Sequence, residues 1–390
     1  MHNNSIVLFV NKVLNTEGLL EEHKPIAPDI SCQLDTLRGL SAIIVLIAHA
    51  QQIFLAPAYH GLTGLFGLVA QASVMVFFVL SGFLICKSIT RNHRDNVTFN
   101  IKPYAIDRAN RILPPLFFST LLLVSLSSIA PSLFQSGTHD FLKASEFMAR
   151  PGFYSDALSI FGSLIFLNGF FTQNISSNAP LWSLSFEVWY YVVIGVALRV
   201  RGGLILGVLF MVAMSNLNVN FLYYGIVWFA GAGIAVLHNK NLINPLTFKV
   251  TLSLFGALAT VIAFLYLKSF IGITSFKQVA LNLIPAWNVL IGLTFTSILA
   301  LILAGTLSMP ILAPRSADFS YTLYIVHFPI LLFIYGLSQT IIMNSITISI
   351  IAALISSAAC LLLAYFSAGV LESYRPLKSV GKRPAHIGNS

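Results

Sequence analysis

Long apolar runs recur along the chain, separated by short polar segments that carry most of the lysines and arginines. A bilayer core is crossed by a helix of about 20 mostly apolar residues. Ten stretches meet that measure: 36–55, 65–86, 112–131, 181–198, 202–216, 220–237, 248–267, 280–305, 318–338 and 342–370. The fifth and sixth are short and count only as a pair, whose loss would leave the parity of crossings unchanged. A further apolar stretch, 160–171, is shorter than a span and lies inside the longest polar connection, 132–180. It reads as a re-entrant or interfacial element. The stretch 94–103 reads as a linker ahead of a basic helix start. The pattern predicts an all-α fold, a polytopic membrane bundle of about ten helices, with no internal repeat and no appended soluble domain.

Composition narrows the class. Of 390 residues, 57% are hydrophobic and 9% charged, against about 25% charged in a soluble domain. That excludes a soluble globular enzyme, a disordered chain and a fibrous one. The net charge of +9 is a matter of topology, because Lys and Arg accumulate in cytoplasmic loops. With the N-terminus inside, the connection between the second and third spans carries Lys87, Arg91, Arg94, Lys102, Arg108 and Arg111. Later inner loops carry Arg199, Arg201, Lys240, Lys249 and Arg315, and the tail carries Arg375, Lys378, Lys382 and Arg383. Lys12, Lys24 and Arg38 lie on the inner N-terminal side, and the outer loops hold only Lys143, Arg150, Lys268 and Lys277. Both termini are therefore expected in the cytoplasm. The expected organisation is a cytoplasmic segment 1–33, a membrane domain 34–371 and a basic tail 372–390. No nucleic-acid partner is needed to explain the charge. The three cysteines, Cys32, Cys86 and Cys360, are scattered and encode neither a disulfide framework nor a zinc site. The apolar run 6–10 is too short for a secretory signal.

Against this apolar background three ionisable residues stand inside spans, where they are expensive and mark function by default. His49 follows Arg38 by eleven residues. That is roughly 16 Å of helix and close to three whole turns, so both share one face. Arg38 then lies at the inner interface and His49 near the midplane. Glu187 sits about 9 Å inside the outer boundary and could approach the depth of His49. His327 lies about 13 Å along the helix from Asp318. Pro329 beyond it frees a backbone carbonyl, and a packing role for His327 tied to that carbonyl is the alternative to a chemical one. A neutral imidazole is the usual general base near neutral pH, and a carboxylate orients it. The same groups would also suit the proton relay of a transporter. Arg108 and Arg111, three residues apart, share a face. With Arg38 they could clamp the phosphates of a cytosolic cofactor, or simply anchor the helix. Ser81-Gly82 is a small pair that lets helices approach closely, or leaves room for a narrow ligand.

Five segments together resemble the membrane acyltransferase-3 family: LDTLRGLSAIIVLIAHA, with its Arg-to-His spacing; FFVLSGFLI; DRANRILPP; LWSLSFEVWYY; and SYTLYIVHFP. They follow one another in the family's order from residue 34 to about 330. Glu372 and Pro376 resemble the family's late Glu-x-x-Pro element with one extra residue between them. The resemblance implies O-acylation of a cell-envelope carbohydrate, such as an O-antigen, another lipopolysaccharide or an exopolysaccharide. The acyl donor it implies is an acyl-CoA, usually acetyl-CoA, taken from the cytosol, with no metal. The acceptor would be a sugar hydroxyl on a lipid-linked or envelope glycan, reached within the lipids of a bacterial inner membrane. On this reading His49 is the general base and Glu187 assists it or binds the acceptor. His327 is catalytic or structural. Arg38, Arg108, Arg111 and Asp35 lie at the donor site, and Trp182, Ser183 and Ser81 at the substrate site. The rival class is a proton-coupled transporter or glycan flippase, which would show inverted repeats. A purely structural envelope protein gives no reason for His49, Glu187 and His327 to lie in lipid.

Overall fold

A computed structural model describes residues 22–142, 148–200, 202–271, 276–342, 345–374 and 376–377, with the side chains of 270–281 left aside. Lys12, Lys143, Arg201, Arg375, Lys378, Lys382 and Arg383, and the side chain of Lys277, lie outside the described residues. The described chain is helical, as a chain in lipid must be to satisfy its backbone internally. Its helices are α1 (Pro28–Ala50), α2 (Thr63–Asn96), α3 (Ile101–Leu133), α4 (Ala157–Leu164), α5 (Trp182–Arg199), α6 (Gly203–Leu217), α7 (Asn220–Asn239), α8 (Pro245–Ile271), α9 (Phe276–Leu303), α10 (Ser320–Ile342) and α11 (Ile346–Leu371). Nine of the described helices are long and apolar enough to cross a membrane, and α6 is a shorter apolar helix. The protein is a polytopic membrane helical bundle.

Three expectations change in detail. The sixth stretch is a full-length helix, α7, whereas the fifth, α6, has 15 residues. Nine crossings would put the two ends of the chain on opposite sides, yet Arg38 on α1 and Glu372 after α11 lie at one end of the bundle; α6, though shorter at about 1.5 Å per residue than a core about 30 Å thick, is therefore the tenth crossing. Its far end meets a second element: Asn218 Nδ2 donates to the carbonyl of Gly169 at 2.9 Å. Gly169 belongs to the loop after α4, which turns there at φ 81°. That loop also accepts a hydrogen bond from Trp189 Nε1 at Phe166 O, 2.8 Å. The stretch 160–171 is thus a short helix and a reversing loop packed on α5 and α6, as an element that does not span. Lastly, the linker 94–103 shrinks to 97–100, because α2 and α3 continue beyond their apolar runs. Asn100 caps α3 by accepting from the Lys102 amide at 3.2 Å, and Val97 reverses the chain with φ 66°. Hydropathy falls where these helices leave lipid, but the helix has no reason to stop there.

Three packing features position the site. Gly82 on α2 and Gly231 on α7 let the two backbones touch. A Cβ at Gly82 would lie 1.9 Å from Trp228 O, and one at Gly231 would lie 2.1 Å from Val79 O. The small pair Ser81-Gly82 does serve close packing. Alongside, α1 runs parallel to α10, with Arg38 Nη2 donating to Ala317 O at 3.1 Å and the His49 ring stacked on His327. Helix α3 is tied to α10 at a defect. Pro329 has no N–H for Ile325 O, and that carbonyl instead accepts from Ser119 Oγ at 2.6 Å and Asn178 Nδ2 at 3.0 Å. Basic residues gather at one end of the bundle. There the buried Lys87 donates to Lys24 O, His238 Nδ1 and Asn239 Oδ1, and Lys24 donates to Asn241 Oδ1 at 2.7 Å.

Candidate active site

Helices α1, α2, α3, α5 and α10 enclose a cavity whose walls include Arg38, Arg108 and Arg111, together with Ser81, Ser183 and Glu187. Six of the residues singled out from the sequence therefore meet in one space. Arg108 and Arg111 reach it together because a three-residue spacing puts them on one face of α3. Arg38 Nη2 also contacts Asp35 Oδ1 at 3.5 Å. Neither Arg108 nor Arg111 forms an ion pair among the described residues. The Nε atoms of Arg38 and Arg108 are buried without a hydrogen-bond partner. An unpartnered buried donor costs about 1–3 kcal/mol, more when charged. Three guanidiniums with spare donors fit an anion of several phosphates, as a coenzyme A thioester is. At the same end, Glu372 accepts from the Thr322 amide at 3.2 Å and from Thr322 Oγ1 at 2.8 Å, holding the first turn of α10. Burial pushes its carboxyl above the ordinary range, against the opposing pull of those bonds and of Arg111 and Arg38.

Deeper in the cavity, Glu187 Oε1 accepts from Ser81 Oγ at 2.5 Å and from the Tyr191 hydroxyl. Ser81 Oγ in turn accepts from Trp228 Nε1 at 3.0 Å. Ser183 Oγ lies 2.7 Å from the Tyr324 hydroxyl. One turn along α10 from Tyr324 stands His327, with the two ring centroids 6.0 Å apart.

His327 is 1% exposed. Its Nδ1 lies 3.0 Å from Leu323 O, a contact in which only the nitrogen can donate. That fixes the tautomer and leaves Nε2 as a bare lone pair, buried without a partner. The His49 ring stacks on it with centroids 5.4 Å apart and planes 21° apart. His49 Nδ1 lies 3.1 Å from Gln52 Oε1, which again fixes a donor at Nδ1 and a free Nε2. Gln52 belongs to the π-helical turn Gln51–Leu55 that closes α1. Such turns cluster at functional sites.

The structure thus separates what the sequence reading had joined. His49 pairs with His327, and no hydrogen bond or ring contact joins it to Glu187 among the described residues. His327 is held by Leu323 O, not by the carbonyl that Pro329 frees. Asp35 does not line the cavity; it pairs with Arg38. Trp182 lies outside it too, packed on Phe78, Phe186 and Tyr224. Residues not anticipated are Tyr191, Tyr324 and Trp228. Tyr191 and Tyr324 had a signal, since they stand four residues after Glu187 and three before His327 on one helical face. Trp228 had none, because only the glycine crossing brings it to Ser81.

Fold and site together define a multi-span membrane protein with a cationic mouth, a carboxylate–hydroxyl cluster and a stacked histidine pair. Residues 33–368 match the family described as an acyltransferase domain, and the chain belongs to that acyltransferase-3 family. Provisionally named O-acetyltransferases of Staphylococcus aureus strains COL, MSSA476 and MRSA252 are each 22% identical over 198 residues. Those alignments cover 50% of this chain and 27% of the relatives, so the chain spans about a quarter of their length. No solved structure matches it. No cluster of metal-ligating side chains occurs among the described residues.

Proposed function

We propose that the chain transfers an acyl group, acetyl foremost, from cytosolic acyl-CoA to a hydroxyl of a lipid-linked or cell-surface polysaccharide. It would do so in the bacterial inner membrane, with both termini and the arginine end facing the cytoplasm. The observation that carries this reading is the cavity itself, in which three guanidiniums with spare donors stand beside a carboxylate hydrogen-bonded to hydroxyls. Arg38, Arg108 and Arg111 hold the phosphates of the donor, and Asp35 keeps Arg38 in place. The thioester reaches inward toward Ser81, Ser183 and Glu187. His49, with its bare Nε2, takes the proton of the acceptor hydroxyl, and His327 stacks on it and sets its orientation. The family and the naming of the S. aureus relatives support acyl transfer; the glycan acceptor rests on the resemblance of the motifs.

A proton-coupled transporter would need a continuous relay. The match to the acyltransferase family over residues 33–368 favours the enzyme. The test uses the full chain in proteoliposomes supplied with acetyl-CoA and an extract of envelope glycans. Thiol release that requires both the protein and the glycan extract supports the reading. Glycan movement across the bilayer with no thiol released would overturn it.

A further inference from the structure

Ser81 has the surroundings of a nucleophile. Its hydroxyl proton points at the Glu187 carboxylate, 2.5 Å away, and the indole N–H of Trp228 donates to the same oxygen at 3.0 Å. The Tyr191 hydroxyl lies 3.2 Å from the same oxygen but gives its proton to Glu187, so one lone pair of Oγ accepts no hydrogen and is left for a bond to carbon. Hydroxyls attack acyl carbon when an adjacent base takes their proton and a third group orients the pair. Here Glu187 is the base, and the Tyr191 hydroxyl, donating to the same carboxylate oxygen, orients it. Trp228 is wholly buried and is fixed against Ser81 by the contact at Gly82. The cluster faces the cavity that the arginines line, while the histidine pair lies beyond Tyr324. Neither histidine lines that cavity, so within it the hydroxyl placed to receive the acyl group beside a base is that of Ser81.

We propose that Ser81 carries the acyl group as an ester between donor and acceptor. The proposal rests on the acyltransferase reading of the cavity. In the first step Ser81 Oγ gives its proton to the Glu187 carboxylate and bonds to the thioester carbonyl carbon. The C–S bond breaks, and coenzyme A leaves as thiolate. In the second step the acceptor hydroxyl gives its proton to His49 and attacks the carbonyl carbon of the seryl ester. The bond to Oγ breaks, and Glu187 returns its proton to Ser81. His49 releases its proton to solvent, where the thiolate takes one up. No other reactant is needed.

The test incubates the purified full chain with acetyl-CoA and no acceptor, quenches with acid and maps the peptides by mass spectrometry. The expected result is a burst of about one thiol per chain and one acetyl group on the peptide containing Ser81. Ser81→Ala should show neither, should still bind acetyl-CoA, and should lose glycan acylation by about 10³-fold or more. Ser81→Cys, which keeps a nucleophile, should form an acetyl thioester at position 81, so a misfolded alanine variant would not decide the matter. Glycan acylation by Ser81→Ala at the wild-type rate would overturn the carrier role and leave the acyltransferase reading standing. So would wild-type turnover in which quenching never catches acetyl on Ser81. A wild-type protein that releases no thiol even with acceptor would overturn both.

Discussion

An alanine at position 82 is the smallest change that should disable the cavity from outside it. Its Cβ would lie 1.9 Å from Trp228 O, a backbone atom with no rotamer to escape into. Ordinary contact begins at 3.4 Å, so α2 and α7 must part by about 1.5 Å at that level. Gly231 sits just as tightly against Val79 O, at 2.1 Å, so neither helix can pivot about the other contact. The bond from Trp228 Nε1 to Ser81 Oγ, now 3.0 Å, would stretch beyond hydrogen-bond reach. Overpacking of this kind costs about 1–3 kcal/mol. An indole N–H left buried without a partner costs a similar about 1–3 kcal/mol. The control is Gly233→Ala on the same helix, where a new Cβ meets nothing within 4 Å. There alanine should be neutral or stabilise by about 0.5–1 kcal/mol through helix propensity. Thermal unfolding of the purified proteins in one detergent, alongside acyl transfer in proteoliposomes, gives both readouts. Gly82→Ala should unfold at lower temperature and lose transfer, while Gly233→Ala should match wild type in both. Equal stability and activity in the two variants would refute the claim that the glycine crossing builds the Ser81 site.

Arg108→Gln and Arg111→Gln should each weaken acetyl-CoA binding about 10- to 100-fold, the worth of a charge-assisted hydrogen bond of about 1.5–3 kcal/mol, with insertion unchanged; unaltered affinity in both would return these residues to anchoring. His49→Ala should abolish glycan acylation with normal expression and donor binding, and acetylated Ser81 should accumulate; transfer at the wild-type rate would remove His49 from the mechanism and make His327 the next candidate. Single cysteines in a Cys-free background should place position 385 inside and the 132–180 connection outside, and labelling of 385 by an impermeant reagent from outside would contradict the topology.

What the sequence disclosed was whatever helical periodicity and lipid exclusion control. The spacing from Arg38 to His49 put both on one face, and in the structure one meets Ala317 in the turn just before α10 and the other meets His327 within it. Arg108 and Arg111 share the cavity for the same reason. Glu187 was legible as a costly carboxylate, but its partners were not. Ser81 reaches it through the packing of α2 beside α5, and Trp228 joins them through the crossing of α2 and α7 at two glycines, a tertiary event with no local signal. The pairing of His49 with His327 was hidden likewise, since depth along a span says nothing of which spans are neighbours. Span lengths went astray where polarity and helix part company. Helices α2 and α3 continue past their apolar runs, whereas the short fifth stretch was legible and is the 15-residue α6.

Whether this chain places acyl groups on envelope glycan can be read directly in cells. Cells lacking the chain should be complemented with the wild type or with Glu187→Gln, and their envelope glycans compared by mass spectrometry and NMR. Ester-linked acyl groups are expected with the wild type, and none with the empty strain or with Glu187→Gln at equal expression. Identical acylation in all three would contradict that transfer.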